Sequence, residues 1–122
     1  MVKFIPFEGG VRPFSAAVRA GSTLYVSGQV GIDRSSGTYP ETIESQTECA
    51  VHNLQTVLEK EGYSLSDVVK MTVLLTNAAD LSAFNNVYTR FFATNPPART
   101  LCTVKALAGP AIVELDAVAY QE

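Results

Sequence analysis

The order in which two hydrophobic periodicities alternate along the chain constrains its fold more than any other feature. Apolar residues recur at every second position near residues 23–30, 67–76 and 111–120, which predicts strands. Residues 41–61 and 80–93 carry apolar stripes at helical spacing, which predicts two helices. A helix that links two strands acts as a crossover, so at least some strand pairs should be parallel.

Short strands within residues 1–30 and a further strand at residues 99–106 complete the predicted order, β-β-β-α-β-α-β-β. Two helices on one face of a mixed β-sheet give an α+β two-layer sandwich. The 122 residues are 47% apolar and 17% charged, which suits a single domain, residues 1–122, with one core and no metal or disulfide staple.

The last strand predicts a partner for the second face of the sheet. Alternate side chains should face the helices, and those between them should face away. The row that faces away mixes apolar and charged residues, so it is too apolar for open water and too polar for a sealed core. Packing against other subunits in a closed symmetric oligomer would cover it. The helix-facing row is Val113, Leu115, Ala117 and Ala119, and the other row is Ile112, Glu114, Asp116, Val118 and Tyr120.

Charge and composition exclude several classes of function. The net charge is −3 and the nine basic residues are scattered, which counts against nucleic-acid binding. No apolar run reaches the roughly 18 residues of a membrane span, and no signal peptide is evident, so a cytoplasmic protein is expected. Cys49 and Cys102 lack metal or redox spacing and are expected to be free thiols. His52 stands alone, so no metal site is predicted.

Two charged residues carry the chemistry that the sequence suggests. Arg99 follows the rigid segment Asn95-Pro96-Pro97-Ala98, and its guanidinium can hold a carboxylate through two parallel hydrogen bonds. Glu114 can accept a proton or orient a water. Taken alone, such an arginine is more often an exposed strand residue. If strands 99–106 and 111–120 form a hairpin, the pair makes either a salt bridge or a shared pocket.

Three further residues are candidates for the same site. Gly28 interrupts the side-chain row of its strand, which predicts a β-bulge or a close approach of a ligand to the backbone. Ser27, beside it, can donate or accept a hydrogen bond. Asn85, with Asn86, opens the second helix and is either a solvated or capping amide or a pocket residue.

Several segments in the same order resemble the YjgF/RidA family of small trimeric enamine/imine deaminases. The most specific are Pro97-Ala98-Arg99-Thr100-Leu101 and Val113-Glu114-Leu115. Residues 24–31, 67–73 and 85–92 are also similar to family segments, so the resemblance extends from about residue 10 to residue 120.

The resemblance implies a fold, an assembly and an activity. The fold is like that of Bacillus-type chorismate mutase. Three protomers form a homotrimer whose sheets make a central barrel, with a site in each cleft between subunits. The family hydrolyses reactive 2-imino (2-enamino) acids to 2-keto acids and ammonia, without a metal or organic cofactor.

The resemblance also implies roles for single residues. Arg99 corresponds to the arginine that grips the substrate carboxylate, and Glu114 to the glutamate that positions the attacking water. Ser27 and Gly28 correspond to positions that line the pocket, and Asn85 to a pocket asparagine.

Two positions depart from the family pattern. Leu101 replaces a cysteine, and the strand alternation should turn the neighbouring Cys102 to the opposite face. Phe14 replaces a tyrosine, which keeps the ring and loses the hydroxyl. Both changes make the pocket more apolar, so we hypothesise a preference for bulkier or more apolar imino acids.

Three other functions compete with the deaminase. A non-catalytic protein that binds small carboxylates on the same scaffold would also need Arg99, whereas Glu114 favours catalysis. Chorismate-mutase-like activity usually needs more cationic groups around a dicarboxylate than this chain gathers. Some family members are described as translation inhibitors or ribonucleases, but the acidic charge and the single histidine weigh against that role here.

Overall fold

A computed structural model describes residues 1–122 as six strands and two α-helices in the predicted order. The strands are β1 (Val2–Ile5), β2 (Ala17–Ala20), β3 (Thr23–Val30), β4 (Val68–Leu75), β5 (Ala98–Thr103) and β6 (Val113–Tyr120). The helices are α1 (Ile43–Lys60) and α2 (Leu81–Phe91), and short 3-10 turns at Leu65–Asp67 and Ala78–Asp80 precede β4 and α2.

The six strands form one mixed sheet in the order β1-β2-β3-β6-β4-β5. All neighbouring pairs are antiparallel except β4 and β5, which are parallel and joined through α2. The hairpin considered for the last two strands does not form, because β4 lies between β5 and β6. A parallel crossover through α2 places β5 at the sheet edge, and β6 then fills the gap between β3 and β4.

Local sequence signals set the ends of α1. Thr42 caps the N-terminus, its side chain accepting a hydrogen bond from the backbone N–H of Ser45 at 3.1 Å. At the other end Gly62 has a φ of 81°, the left-handed conformation that terminates helices. The N–H of Tyr63 donates to the carbonyl of Leu58 at 2.9 Å, which closes the last turn.

The core lies between the sheet and the two helices. The predicted helix-facing row of β6 is confirmed, since all four of its residues are buried. They pack against Leu54 and Leu58 of α1 and against Phe84 of α2, which are inaccessible to solvent. The other side of the sheet is not covered by any element of this chain, and it exposes Tyr25 and Tyr120.

Two β-bulges reverse the alternation that the sequence predicts for two strands. The predicted bulge at Gly28 is confirmed, because the register of β3 against β6 shifts between Val26 and Gln29. As a result Gln29 turns into the core with 3% exposure, on the side where the pattern placed apolar residues. A similar shift in β4 turns Val69 outward, although the pattern grouped it with the buried row. No helix of the chain is long and apolar enough to cross a membrane.

Candidate functional site

Arg99 lies on the helix side of the sheet, at its edge. It is opposite the buried Met71 in the parallel register, and paired residues point to the same face. Its Nη1 donates to Oδ1 of Asn85 at 2.9 Å. The guanidinium carbon stands 4.8 Å from the centre of the Tyr88 ring and 5.8 Å from that of Phe84. The guanidinium is therefore held by one hydrogen bond and by cation–π contact.

This arginine cluster (Asn85, Tyr88 and Arg99) carries an uncompensated positive charge. Arg99 takes part in none of the three ion pairs of the chain. Of the five N–H donors of its guanidinium, one is bonded to Asn85. The remaining donors can form a bidentate pair with a carboxylate. Burial raises the pKa of the Tyr88 phenol, an effect that the neighbouring Arg99 charge only partly offsets, so the ring remains neutral beneath the cation.

Leu101 shares the face of Arg99. It lies opposite Val73, is half-buried, and packs against the core beside the arginine. The neighbouring Cys102 is opposite Leu74 and exposed, so the alternation turns it to the other face, as the sequence predicts. A thiol two positions after Arg99 is therefore absent from this edge, and an isobutyl group occupies its place.

Glu114 lies on the opposite face, in the middle of the sheet, between Val30 and Leu74. Its carboxylate folds over the bulge of β3, where Gly28 offers bare backbone. A Cβ at position 28 would stand 2.8 Å from the Glu114 carboxyl carbon, so only glycine leaves this space free. Ser27, Gly28 and Glu114 form the glutamate cluster.

Ser27 connects the glutamate cluster to the N-terminal segment. Its hydroxyl donates to the carbonyl of Ser15 at 2.6 Å, and its own N–H donates to the carbonyl of Ala16 at 3.1 Å. The hydroxyl proton is thus used within the chain, and the oxygen remains an acceptor. Phe14 precedes Ser15 and is 54% exposed, its ring edge-on to Phe7 at 5.1 Å. The hydrogen bond from Ser27 to Ser15 brings the residue next to Phe14 to the bulge of β3.

The Glu114 carboxyl is poised to accept a proton. Burial raises its pKa above the usual glutamate value, and the negative charge of Asp116 on the same face raises it further. No hydrogen-bond donor or cation of the chain stabilises the ionised form. A carboxylate with a raised pKa, half open to solvent, is a competent general base near neutral pH.

The two clusters do not meet within one chain. Arg99 lies on the helix side at the edge strand, whereas Glu114 lies on the uncovered side of a central strand, with β4 between them. The salt bridge that a hairpin would have allowed is absent. The structure thus joins Arg99 to Asn85 and joins Ser27 and Gly28 to Glu114. Phe14 and Leu101 lie beside separate clusters.

Sequence reasoning missed the role of Tyr88. The pattern places this tyrosine only in the apolar stripe of residues 80–93, whereas its ring supports the guanidinium of Arg99. A signal was available, because Asn85 and Tyr88 are three residues apart and therefore share one side of the helix. Only the position of β5 against α2 reveals what this side contacts.

Comparison with known proteins gives consistent matches over nearly the whole chain. The family model described as Endoribonuclease L-PSP matches residues 9–121. A RutC family protein of Sinorhizobium fredii is 44% identical over 112 residues, covering 90% of this chain and 88% of the relative. The human 2-iminobutanoate/2-iminopropanoate deaminase is 37% identical over 114 residues, covering 93% and 83%. The crystal structure of RidA from Psychrobacter is 33% identical, with a TM-score of 0.89 and coverage of 98% and 99%.

Proposed function

Because this chain belongs to the YjgF/RidA family, known also as the Endoribonuclease L-PSP family, we propose that it is an imine deaminase. Its substrates would be 2-imino acids and their 2-enamino tautomers, and its products 2-keto acids and ammonia. The observation that carries the proposal is the arginine cluster, an uncompensated guanidinium whose orientation is fixed by Asn85 and Tyr88. The similarity to the human 2-iminobutanoate/2-iminopropanoate deaminase supports the choice of substrate.

The chemistry requires both clusters in one pocket, so we propose that a second copy of the chain completes it. Arg99 lies at an edge strand, where another molecule can reach it. Glu114 lies on the uncovered sheet face, which also exposes Tyr25 at 51% and Tyr120 at 47%. Packing that face against a neighbour would bury apolar surface and bring Glu114 of one chain toward Arg99 of the next. A homotrimer with three such clefts satisfies both requirements.

In the proposed mechanism, Arg99 binds the carboxylate of a protonated imino acid through two hydrogen bonds. Glu114 accepts a proton from a water, whose oxygen bonds to the imine carbon as the C=N π electrons move to nitrogen. Glu114 then returns the proton to the amino group. As the C–N bond breaks and ammonia leaves, the hydroxyl oxygen forms the carbonyl and its proton passes to the Glu114 carboxylate, which releases it to the departing ammonia. One water is consumed, and no electrons are exchanged with another reactant.

The pocket composition supports a preference among imino acids. Leu101 beside Arg99 is half-buried in apolar surroundings, and Phe14 near the bulge of β3 has no hydroxyl. Neither can donate a hydrogen bond to a polar substrate side chain. We therefore expect imino acids with branched apolar side chains to be hydrolysed faster than the smallest ones.

The charges of the chain favour this proposal over nuclease activity. The chain is acidic overall, and three of its basic residues are held in ion pairs with glutamates. Its single histidine is engaged edge-on with Phe91 at 6.1 Å. A single histidine cannot form the acid–base pair of histidines that RNA cleavage commonly uses, and the nine basic residues form no cluster in the sequence.

The direct test generates imino acids with an amino-acid oxidase, traps them with semicarbazide and measures the trapped fraction with and without this protein. We expect the protein to lower that fraction, and to do so more strongly for the imine of leucine than for that of alanine. A faster reaction with the alanine imine would contradict the apolar pocket. A protein that binds 2-keto acids but hydrolyses none of the imines would instead be the non-catalytic carboxylate-binding protein.

Two glycines provide a matched pair of substitutions. At Gly28 an added methyl meets only the flexible end of Glu114, so Gly28→Ala should change the free energy of unfolding by less than about 1 kcal/mol. At Gly31 it would stand 2.5 Å from the carbonyl oxygen of Gln46 in α1. Because Gln46 is fixed by hydrogen bonds to Pro40 and Ile112, Gly31→Ala should cost about 2–3 kcal/mol or more.

The two glycine variants should differ in imine hydrolysis in the reverse order, with the more stable one being the less active. Gly28→Ala displaces Glu114 and should lower imine hydrolysis about a hundredfold. Folded Gly31→Ala protein should retain activity. Urea unfolding and the trapping assay on both variants check this. Equal stabilities for the two variants, or full activity of Gly28→Ala, would contradict the contacts described for these positions.

A further inference from the structure

A cavity of about 360 Å³ lies on the helix side of the sheet, between residues 5–8 of the N-terminal segment and the C-terminal half of α1. None of the candidate deaminase residues lines it. Its volume falls at the small end of the range for small-molecule sites, about 300–1,000 Å³. It is called here the helix-side cavity.

Two buried amides line this cavity and offer free hydrogen-bond acceptors. Gln29 is 3% exposed and Asn53 is 8% exposed. Their NH2 groups are occupied, that of Gln29 by the carbonyl of Ser27 at 3.1 Å and that of Asn53 by the carbonyls of Val30 and Ile32, both at 2.9 Å. Neither amide oxygen accepts a hydrogen bond within the chain. Both oxygens remain accessible to solvent, unlike the two fully buried polar side-chain atoms of the chain that lack a partner. Both oxygens are thus available to N–H donors of a ligand.

The charged residues of the lining leave one cation free. Lys60 of α1 forms an ion pair with Glu8 of the N-terminal segment at 2.9 Å, and Glu61 forms one with Lys3 at 3.4 Å. Arg34 also lines the cavity and has no ion pair. The cavity therefore presents a single unpaired guanidinium, which suits one carboxylate.

The rest of the lining is largely apolar, with Ile5, Phe7 and Val57 among its walls. A ligand that matches all three features has an ammonium group for the amide oxygens, one carboxylate for Arg34 and an apolar side chain. A dicarboxylate would leave its second charge without a partner, and a simple amine would leave Arg34 unused. We propose that the helix-side cavity binds a free α-amino acid with an apolar side chain.

The amide of Gln29 connects this cavity to the bulge of β3. The same side chain that faces the cavity holds the carbonyl of Ser27, next to Gly28. The inference stands apart from the proposed deaminase, because it uses neither Arg99 nor Glu114 and concerns binding rather than hydrolysis.

Isothermal titration of the full chain with L-leucine tests the inference. We expect one leucine per chain in the millimolar range or tighter. Isoamylamine lacks the carboxylate and 4-methylpentanoate lacks the ammonium. Each should bind at least about tenfold more weakly than leucine. Arg34→Gln should weaken leucine binding by about the same factor, since this exposed arginine has no partner whose loss would unfold the chain.

Two control variants locate the bound leucine. Lys105→Gln removes an exposed charge outside the cavity and should leave binding unchanged. Arg99→Gln should also retain binding, since Arg99 does not line the cavity. No binding to folded wild-type protein would overturn the inference. Binding that survives Arg34→Gln but is lost in Arg99→Gln would also overturn it, and would assign the amino acid to the arginine cluster.

Discussion

Arg99→Ala should lower kcat/KM for 2-imino acids about a hundredfold or more, equivalent to about 3 kcal/mol of transition-state stabilisation. The guanidinium is held by Asn85 and Tyr88 and takes part in no ion pair of the chain, so it is free to bind a carboxylate. Its loss removes both the charge and the bidentate geometry that fixes the imine carbon relative to the water. Initial rates in the trapping assay provide the measurement.

Arg99→Lys separates charge from geometry. Lysine keeps the positive charge but lacks the planar fork and the stacking on Tyr88, so it should recover only part of the activity. Arg90→Ala is the matched control, because Arg90 belongs to the same region of α2, is exposed and pairs only with Glu48 at 3.7 Å. It should behave like wild type. Arg99→Ala with undiminished activity would remove the carboxylate clamp from the mechanism.

Glu114→Gln should lower the rate of imine hydrolysis by about two to three orders of magnitude, since it removes the proposed general base while preserving shape. The pKa of Glu114 is raised, first by burial and then by Asp116. The wild-type rate should therefore fall as pH is lowered through that raised pKa, where the carboxylate becomes protonated. A profile of kcat/KM against pH for wild type and variant measures this.

Glu114→Gln should raise the stability of the fold near neutral pH, although it lowers activity. The fold favours the neutral carboxyl, so its stabilising contribution is full below the unfolded-state pKa and is lost as pH rises through the higher folded-state pKa. At neutral pH the ionised group therefore opposes folding, and Glu114→Gln removes this opposition. We expect a higher Tm for the variant than for wild type near neutrality and a smaller difference in acid.

Asp116→Asn is the control for this interpretation. It removes the charge that raises the pKa of Glu114, so the acid limb of the rate profile should move to lower pH while the maximal rate is kept. An acid limb that does not move, or a Glu114→Gln variant as active as wild type, would show that another group handles the proton.

Much of the fold could be predicted because it depends on local patterns. The helix-facing row of β6 follows from alternation alone, and all of its members are buried. The end of α1 follows from a glycine placed where a left-handed residue is needed. A glycine inside a strand pattern predicts either a β-bulge or a close ligand approach at Gly28, and the register of β3 against β6 shows the bulge.

The phase of the pattern beyond each bulge could not be predicted. An alternating sequence shows which residues share a face only where the strand is regular. The extra residue of a bulge moves every later side chain to the other face. The bulge in β3 turns Gln29 into the core and leaves its amide at the helix-side cavity, and the bulge in β4 turns Val69 outward. Neither outcome is visible in the order of apolar and polar residues.

The sequence by itself determined the element order, the family and the two charged residues on which the proposed chemistry rests. These follow from short-range backbone preferences and from residue types, which act within a few positions. Only the tertiary structure decided that β4 separates β5 from β6, and so that Arg99 and Glu114 lie on opposite faces of one sheet. Strand neighbours are chosen by the packing of the whole sheet against α1 and α2, a long-range balance that no local pattern contains. The same balance leaves one face of the sheet uncovered, which is why the proposed site needs a second chain.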